Sequence, residues 1–366
     1  MGEKTRIHQH HVHPLIWREG PENLYPFPLF WMDGEKDLEG FHATVSWAYV
    51  KEPCTFHPVQ GMVTHPYDEV MVFVSTNLDA MHDLGAEVSF TIGEEQETYT
   101  FGRSTVICIP RGVPHGPATV KSIDKPFIQY TIALATTYDG EITPPEELKE
   151  PVPGSAKYAD CIQQFRWWVD PVTGRRVQDK YCDPYMWANH DPNDPGFGRV
   201  TRWYKDANDY IEVNNGGLDC YGVSHPCNRG DKGPGNAKNL IWMFGKQLKG
   251  FSLNTAFGHY DSPGILHKAG ESHSHPSEEI IVFLSLDAND PFYIGAETEV
   301  ALGEEDERYV TETPVAYMFP KGFTHLPQTT LWVERPFAFM VLELDSEHES
   351  PWKQRDGSLT QYETES

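Results

Sequence analysis

The sequence predicts an all-β protein made of two tandem copies of one module, joined by an irregular, aromatic-rich segment. Three observations carry that prediction. An internal repeat runs through the chain at a fixed offset of 210 residues. Within each copy, short β-prone runs such as Val70 to Val74, Glu87 to Ile92, Thr105 to Ile109 and Phe127 to Ala133 are separated by Gly, Asp, Asn and Pro clusters. Helical periodicity is weak throughout. Evenly spaced short strands with turn residues between them argue for sandwich or barrel topology and against parallel βαβ units.

Taken in order, residues 1–29 read as an N-terminal arm, because Pro14, Pro21, Pro26 and Pro28 interrupt any long helix or central strand. The arm is crowded with His8, His10, His11 and His13, a pattern that on a terminal segment is more often solvated than metal-binding. Residues 30–140 form the first copy and residues 241–345 the second. Phe30-Trp31-Met32-Asp33-Gly34 resembles Ile241-Trp242-Met243-Phe244-Gly245, and from Gly40-Phe41 and Gly250-Phe251 onward the register is gapless. His57 aligns with His267, His65-Pro66 with His275-Pro276, Glu69 with Glu279, and Pro110-x-Gly112-x-x-His115 with Pro320-x-Gly322-x-x-His325. Such a register identifies two copies of one unit.

Residues 141–240 connect the copies. Pro144 to Pro153 suits a short acidic helix, and Trp167, Trp168, Trp187 and Trp203 need burial, so a covering or lid role is expected rather than a floppy linker. His225-Pro226 before the second copy echoes His13-Pro14 before the first, which suggests that each copy starts with a similar entry arm. Residues 346–366 form a polar tail.

Composition narrows the function. Lys plus Arg total 29 against 54 Asp plus Glu, a formal charge of −25, which makes nucleic acid and anionic membranes poor partners. The amino terminus lacks an apolar signal core and no apolar run is long enough to span a bilayer, so a cytoplasmic protein acting on a small molecule is expected, assembled as a homo-oligomer. The six cysteines are scattered without a CxxC pair and read as reduced thiols. A zinc knot of Cys220, His225 and Cys227 matches no usual structural pattern.

The chemistry concentrates in His273-Ser274-His275-Pro276-Ser277-Glu278-Glu279 and in Pro320-Lys321-Gly322-Phe323-Thr324-His325. On an extended strand His273, His275 and Glu279 share one face, and His325 can complete the set from a second strand. Imidazoles with one carboxylate suit a divalent transition metal, Fe(II) or Mn(II) first, with Zn, Ni or Cu also admissible, over Ca or Mg. In the first copy Val63 stands where His273 does, leaving His65, Glu69 and His115 as a second set, for which nearby His57 or His82 offers a substitute ligand. His267 shares the parity of His273 and is a candidate acid or base, Phe283 a candidate cavity wall, and Lys321 a cation suited to steering an anionic substrate.

Together these residues resemble the cupin superfamily, whose motifs are HxH followed by Glu and PxG followed by His. Two copies resemble a bicupin, over roughly residues 30–135 and 241–344. The resemblance implies two tandem antiparallel jelly-roll barrels, each with its metal site inside the barrel mouth. The sequence departs from the pattern at His267, where Gly is expected, in the long Ser285 to Gly295 connection, and at Thr329, where Asn is common. It implies one divalent metal per chain, held by His273, His275, Glu279 and His325. The activity implied is carbon–carbon bond cleavage in a catechol-like, diketone or organic-acid substrate, by a dioxygenase, decarboxylase or hydrolase. A sugar isomerase and a non-catalytic binding or storage bicupin are the alternatives.

Overall fold

Strands Glu69–Ser75 and Glu279–Ser285 are the centre of each unit, and both are buried along their whole length. That explains their near-continuous apolar runs, since a strand covered on both faces needs no alternation. The structure, a computed structural model, describes residues 6–167, 211–215, 237–243, 245, 247–265, 272, 274–346, 352–353 and 359–360.

The chain divides into one unit of Leu15–Phe165 and a second of Met1–Pro14 with Arg166–Ser366. In the first, one antiparallel sheet runs Trp17–Arg18, Leu29–Met32, Thr44–Val50, Phe127–Ala133, Glu69–Ser75, Thr105–Ile109, Ile162–Trp167. A second sheet runs Glu141–Thr143, Met62–Thr64, His115–Ile123, Asp83–Ile92, Glu97–Arg103, with Thr55–Phe56 also on the His115 strand. Met71, Phe73, Ile107 and Phe127 from one sheet and Val88, Phe90, Phe101 and Val120 from the other form a shared core.

The second unit repeats the plan. Its larger sheet contains Val12–Pro14, Val315–Phe319, Glu279–Ser285, Phe337–Glu343, Asn254–Tyr260 and Ala237–Met243 in that order. The facing sheet runs Gly264–Ile265, His325–Val333, Ala296–Leu302, Glu307–Thr311. The offset of 210 survives in the pairing: Glu69 lies opposite Ile109 and Glu279 opposite Phe319. Two antiparallel sheets over one core in each of two domains is a tandem jelly-roll plan, and the four strands read from the first copy recur within a few residues at their ends. The expected acidic helix after Pro144 is only a 3-10 turn, Pro145–Glu147.

The entry arms differ from expectation. Strand Val12–Pro14 pairs with the second unit, placing Val12 opposite Tyr317, and Ile162 occupies the corresponding place opposite Ile107 in the first. Each follows a 3-10 turn, Gln9–His11 or Ala159–Cys161. Each is anchored by one carboxylate at the same repeat position: Glu307 accepts from the N–H groups of Ile7 and His8, and Glu97 from those of Lys157 and Tyr158. The arm of the second unit is therefore the chain's first segment, and residues 157–164 serve the first unit. His225 and Pro226 lie outside the described residues, as do Cys220 and Cys227. Among the described cysteines, Cys108 and Cys161 are buried and Cys54 is partly exposed. Among the described residues no helix is long and apolar enough to cross a membrane.

Candidate metal centres

In both units the strand start and the PxGxxH turn are tied together by one backbone bond. Gly112 N–H donates to His65 O at 2.8 Å, and Gly322 N–H to His275 O at 2.7 Å. The turn closes on itself through Val113 N–H to Pro110 O, and Phe323 N–H to Pro320 O. His115 and His325 then open strands of the facing sheet, so each imidazole arrives from across the core at the Glu that opens the central strand.

Among the described residues two groups offer ligand atoms within 4.8 Å of one another: His57, His65, Glu69 and His115 in the first unit, and His275, Glu279 and His325 in the second, all buried. In the first, Glu69 Oε2 lies 3.2 Å from His57 Nε2, 3.6 Å from His65 Nε2 and 3.0 Å from His115 Nε2. In the second, Glu279 Oε2 lies 3.2 Å from His275 Nε2 and 2.8 Å from His325 Nε2. Neighbouring donors about 2.1 Å from a shared ion stand about 3.0 to 3.4 Å apart, so the spacing fits a transition-metal site.

The outer ring nitrogens carry the same message. Nδ1 of His115 lies 3.0 Å from Val113 O, that of His325 3.1 Å from Phe323 O, and that of His65 3.0 Å from Asp139 O. His57 Nδ1 is 3.2 Å from the Tyr25 hydroxyl, which donates to Gln129 Oε1. His275 Nδ1 faces Glu343 Oε1 at 3.7 Å, and Glu343 is itself held by Asn254 Nδ2 at 2.9 Å and by the Ser277 hydroxyl. A proton held on Nδ1 leaves the Nε2 lone pair turned inward, as in metal-ligating histidines.

Electrostatics point the same way. Burial works to raise the Glu69 carboxyl, but His57, His65 and His115 hold it well below the usual range; for Glu279, His275 and His325 do the same against burial. Burial pushes His57 down, and His65 down to about 4, so these imidazoles are neutral donors at pH 7. The first cluster thus holds a buried carboxylate beside the neutral rings of His57 and His65, and Glu69 Oε1 has no hydrogen-bond donor. An anionic group in that condition fits a cation.

His57 joins His65, Glu69 and His115 in the first set, which thus gathers four candidate donors although Val63 supplies none. Val63 sits opposite His115 in the sheet, while His57 enters from the end of the Thr55–Phe56 strand with a φ of 52°. A side chain on Gly116 would meet His57 O at 2.0 Å, so the absence of a Cβ there lets the His57 backbone approach. The repeat equivalent of Gly116 is Leu326. His82, the other candidate substitute, lies before strand Asp83–Ile92 and outside the cluster.

His273 and His267 lie outside the described residues. Phe283 is fully buried in the core of the second unit, and Lys321 is exposed on its turn, apart from the cluster. Its counterpart Arg111 pairs with Asp68 at 2.9 Å. In the arm, His8 pairs with Glu305 at 2.9 Å and His11 packs on Phe323, and neither joins a metal cluster. Sequence reasoning did not find Tyr25, Tyr138 or Glu343. The Tyr138 hydroxyl lies 3.0 Å from His65 Nε2 and its ring packs on Trp31 and His65, covering the first cluster.

No family model matches the sequence, and no curated protein is significantly similar to it. Solved structures are similar at a distance. Oxalate decarboxylase OxdC from Bacillus subtilis, at pH 4.6, gives a TM-score of 0.49 at 10% identity, covering 93% of this chain and 77% of that one. AerE from Microcystis aeruginosa gives 0.44 at 10% identity, covering 91% and 99%. A likeness this distant carries no information about activity, substrate or metal, and the fold assignment rests on the chain's own strands and register.

Proposed function

We propose, with the two-domain jelly-roll architecture of a bicupin as premise, that the protein is a metal-dependent enzyme that breaks a carbon–carbon bond in a small oxygenated molecule. The observation that carries this reading is the recurrence in both units of inward Nε2 atoms around one buried Glu, with His57, His65, His115 and His325 hydrogen-bonded from behind and His275 facing Glu343. His57, His65, Glu69 and His115 would hold one ion, and His275, Glu279 and His325, with His273 on sequence grounds, a second. A bound transition-metal ion supplies Lewis acidity toward substrate oxygens and, for a redox-active metal, a route to oxygen chemistry.

The chain supplies the rest. Glu343 and the Phe323 carbonyl fix the ring orientation of His275 and His325, so the donor set is built before substrate arrives. Phe283, Phe319 and Phe339 surround the second cluster's side of the core and exclude water from a bound molecule. The first cluster, braced by Tyr25, is the better suited to a structural ion, because the Tyr138 hydroxyl lies 3.0 Å from His65 Nε2 and covers the side on which a substrate would bind.

The test is turnover by full-length, metal-loaded protein with catechols, β-diketones and dicarboxylates, following oxygen uptake and carbon dioxide or cleavage products by mass spectrometry. Turnover of one class, lost in His275→Ala, supports the reading. Metal-loaded, folded protein inert toward all three classes contradicts it.

A further inference from the structure

The two units differ where the facing sheet looks into the core. In the second unit the cross-strand pairs on the inward face are Leu302 with His325, Val300 with Gln328 and Thr298 with Thr330. The first pair contains a cluster histidine, so Gln328 is one pair deeper on the same strand and Thr298 two. Gln328 is 2% exposed and Thr298 fully buried, yet Gln328 Oε1 and Thr298 Oγ1 have no hydrogen-bond partner. Val300 and Leu302, on the same strand as Thr298 and paired with Gln328 and His325, belong to the apolar core.

The first unit shows what the fold requires at these positions. There the same pairs are Ile92 with His115, Phe90 with Ala118 and Val88 with Val120, the last two pairs wholly apolar and packed in the core. The backbone therefore accepts a dry interior: Phe90 fills the space left by Ala118, where the second unit has the smaller Val300 beside Gln328. Polar interior groups do occur in the first unit, on the opposite sheet, but there Gln129 bonds Thr131 at 2.8 Å and Tyr25, and that network braces His57. The repeat counterparts of Gln129 and Thr131 are Phe339 and Val341. The second unit also places buried polar groups behind a cluster histidine, Glu343 facing His275, but on the facing sheet it leaves Gln328 Oε1 and Thr298 Oγ1 unmatched where the first unit has Ala118 and Val88. Buried polar atoms without partners are costly and rare unless a ligand or water meets them.

We propose that Gln328 and Thr298 are specificity-determining residues of a substrate pocket inside the second unit. Its ligand is a small metal-chelating molecule that carries one further hydroxyl, which reaches past the cluster to these two side chains. This rests on the reading of His275, Glu279 and His325 as a metal site and adds the barrel that binds substrate and the group it recognises.

Full-length protein with its metal is titrated calorimetrically, without oxygen, with three probe pairs that differ by one hydroxyl: catechol and hydroxyquinol, lactate and glycerate, salicylate and gentisate. In at least one pair the hydroxylated member binds about tenfold or more tightly, because a site built to bond a hydroxyl rejects the analogue without it. Thr298→Val, nearly isosteric and matching Val88 at the same place in the first unit, and Gln328→Leu each shrink that ratio, and the double variant abolishes it at unchanged metal content. Metal-loaded protein that separates no pair, or a double variant that keeps the separation, overturns the pocket alone. Protein that neither carries nor takes up metal overturns the metal reading and the pocket with it.

Discussion

The two units share a register, a strand order and a glutamate that gathers imidazoles, but they hold those imidazoles by different means. In the first, the ring behind the cluster is backed by neutral groups: the Asp139 carbonyl on His65 and the Tyr25 hydroxyl on His57. In the second, His275 is backed by Glu343, a buried carboxylate where the first unit has Ala133. The repeat has thus kept the frame and reassigned the polar groups, one copy using them to brace His57 and the other to place Glu343 behind His275 and to leave Gln328 Oε1 and Thr298 Oγ1 unmatched. A shared fold does not fix a shared role for its sites.

The sharpest way to break the comparison is Gly116→Ala. The added Cβ would overlap the His57 carbonyl at 2.0 Å, so the first unit should lose His57 from its cluster and the protein should lose about 2 to 4 kcal/mol of stability. Urea denaturation and metal content measure both, and the second cluster should keep its ion. A Gly116→Ala protein that retains all its metal would show that His57 is dispensable.

Glu343→Gln tests the opposite unit. Removing the negative charge behind His275 should weaken metal binding at the second cluster about 10- to 100-fold, with the first unchanged, as read by chelator competition. Equal loss from both clusters would contradict the division of roles.

The smallest effect concerns the arms. Burial raises the Glu97 carboxyl, but the Ser155 and Tyr99 hydroxyls and the N–H groups of Tyr158 and Lys157 outweigh it and bring it down to about 2. Its folded value lies below the unfolded carboxylate's of about 4.3, so its contribution is complete above that pH and is lost as pH falls toward 2. Hydrogen exchange should therefore show residues 155–158 opening between pH 4 and 2, and Glu97→Gln should show the same opening already at pH 7. No change in exchange at pH 7 would mean that the clamp is ornamental.

The frame was legible because its signals are local. The PxGxxH turns, the apolar strands and the offset of 210 are each confined to a few residues or repeat in register. His65, Glu69 and His115 could be read as a set for the same reason. His57 was harder, since its entry depends on a backbone approach permitted by Gly116, a residue 59 positions away that the sequence marks only as glycine. Glu343 and Tyr25 were not read at all. Glu343 ends an apolar strand, where a surface carboxylate is the ordinary expectation, and Tyr25 lies in a proline-interrupted arm without periodicity. The exchange of entry arms left only a faint trace, because the carboxylates that anchor them sit in otherwise unremarkable acidic turns.

The most direct test is elemental analysis of full-length protein, alone and as His57→Ala and His275→Ala. The account predicts about two transition-metal ions per chain, falling to about one in each variant, with turnover surviving His57→Ala and vanishing in His275→Ala. Folded protein free of transition metal, or turnover lost with the first cluster and retained without the second, would contradict it.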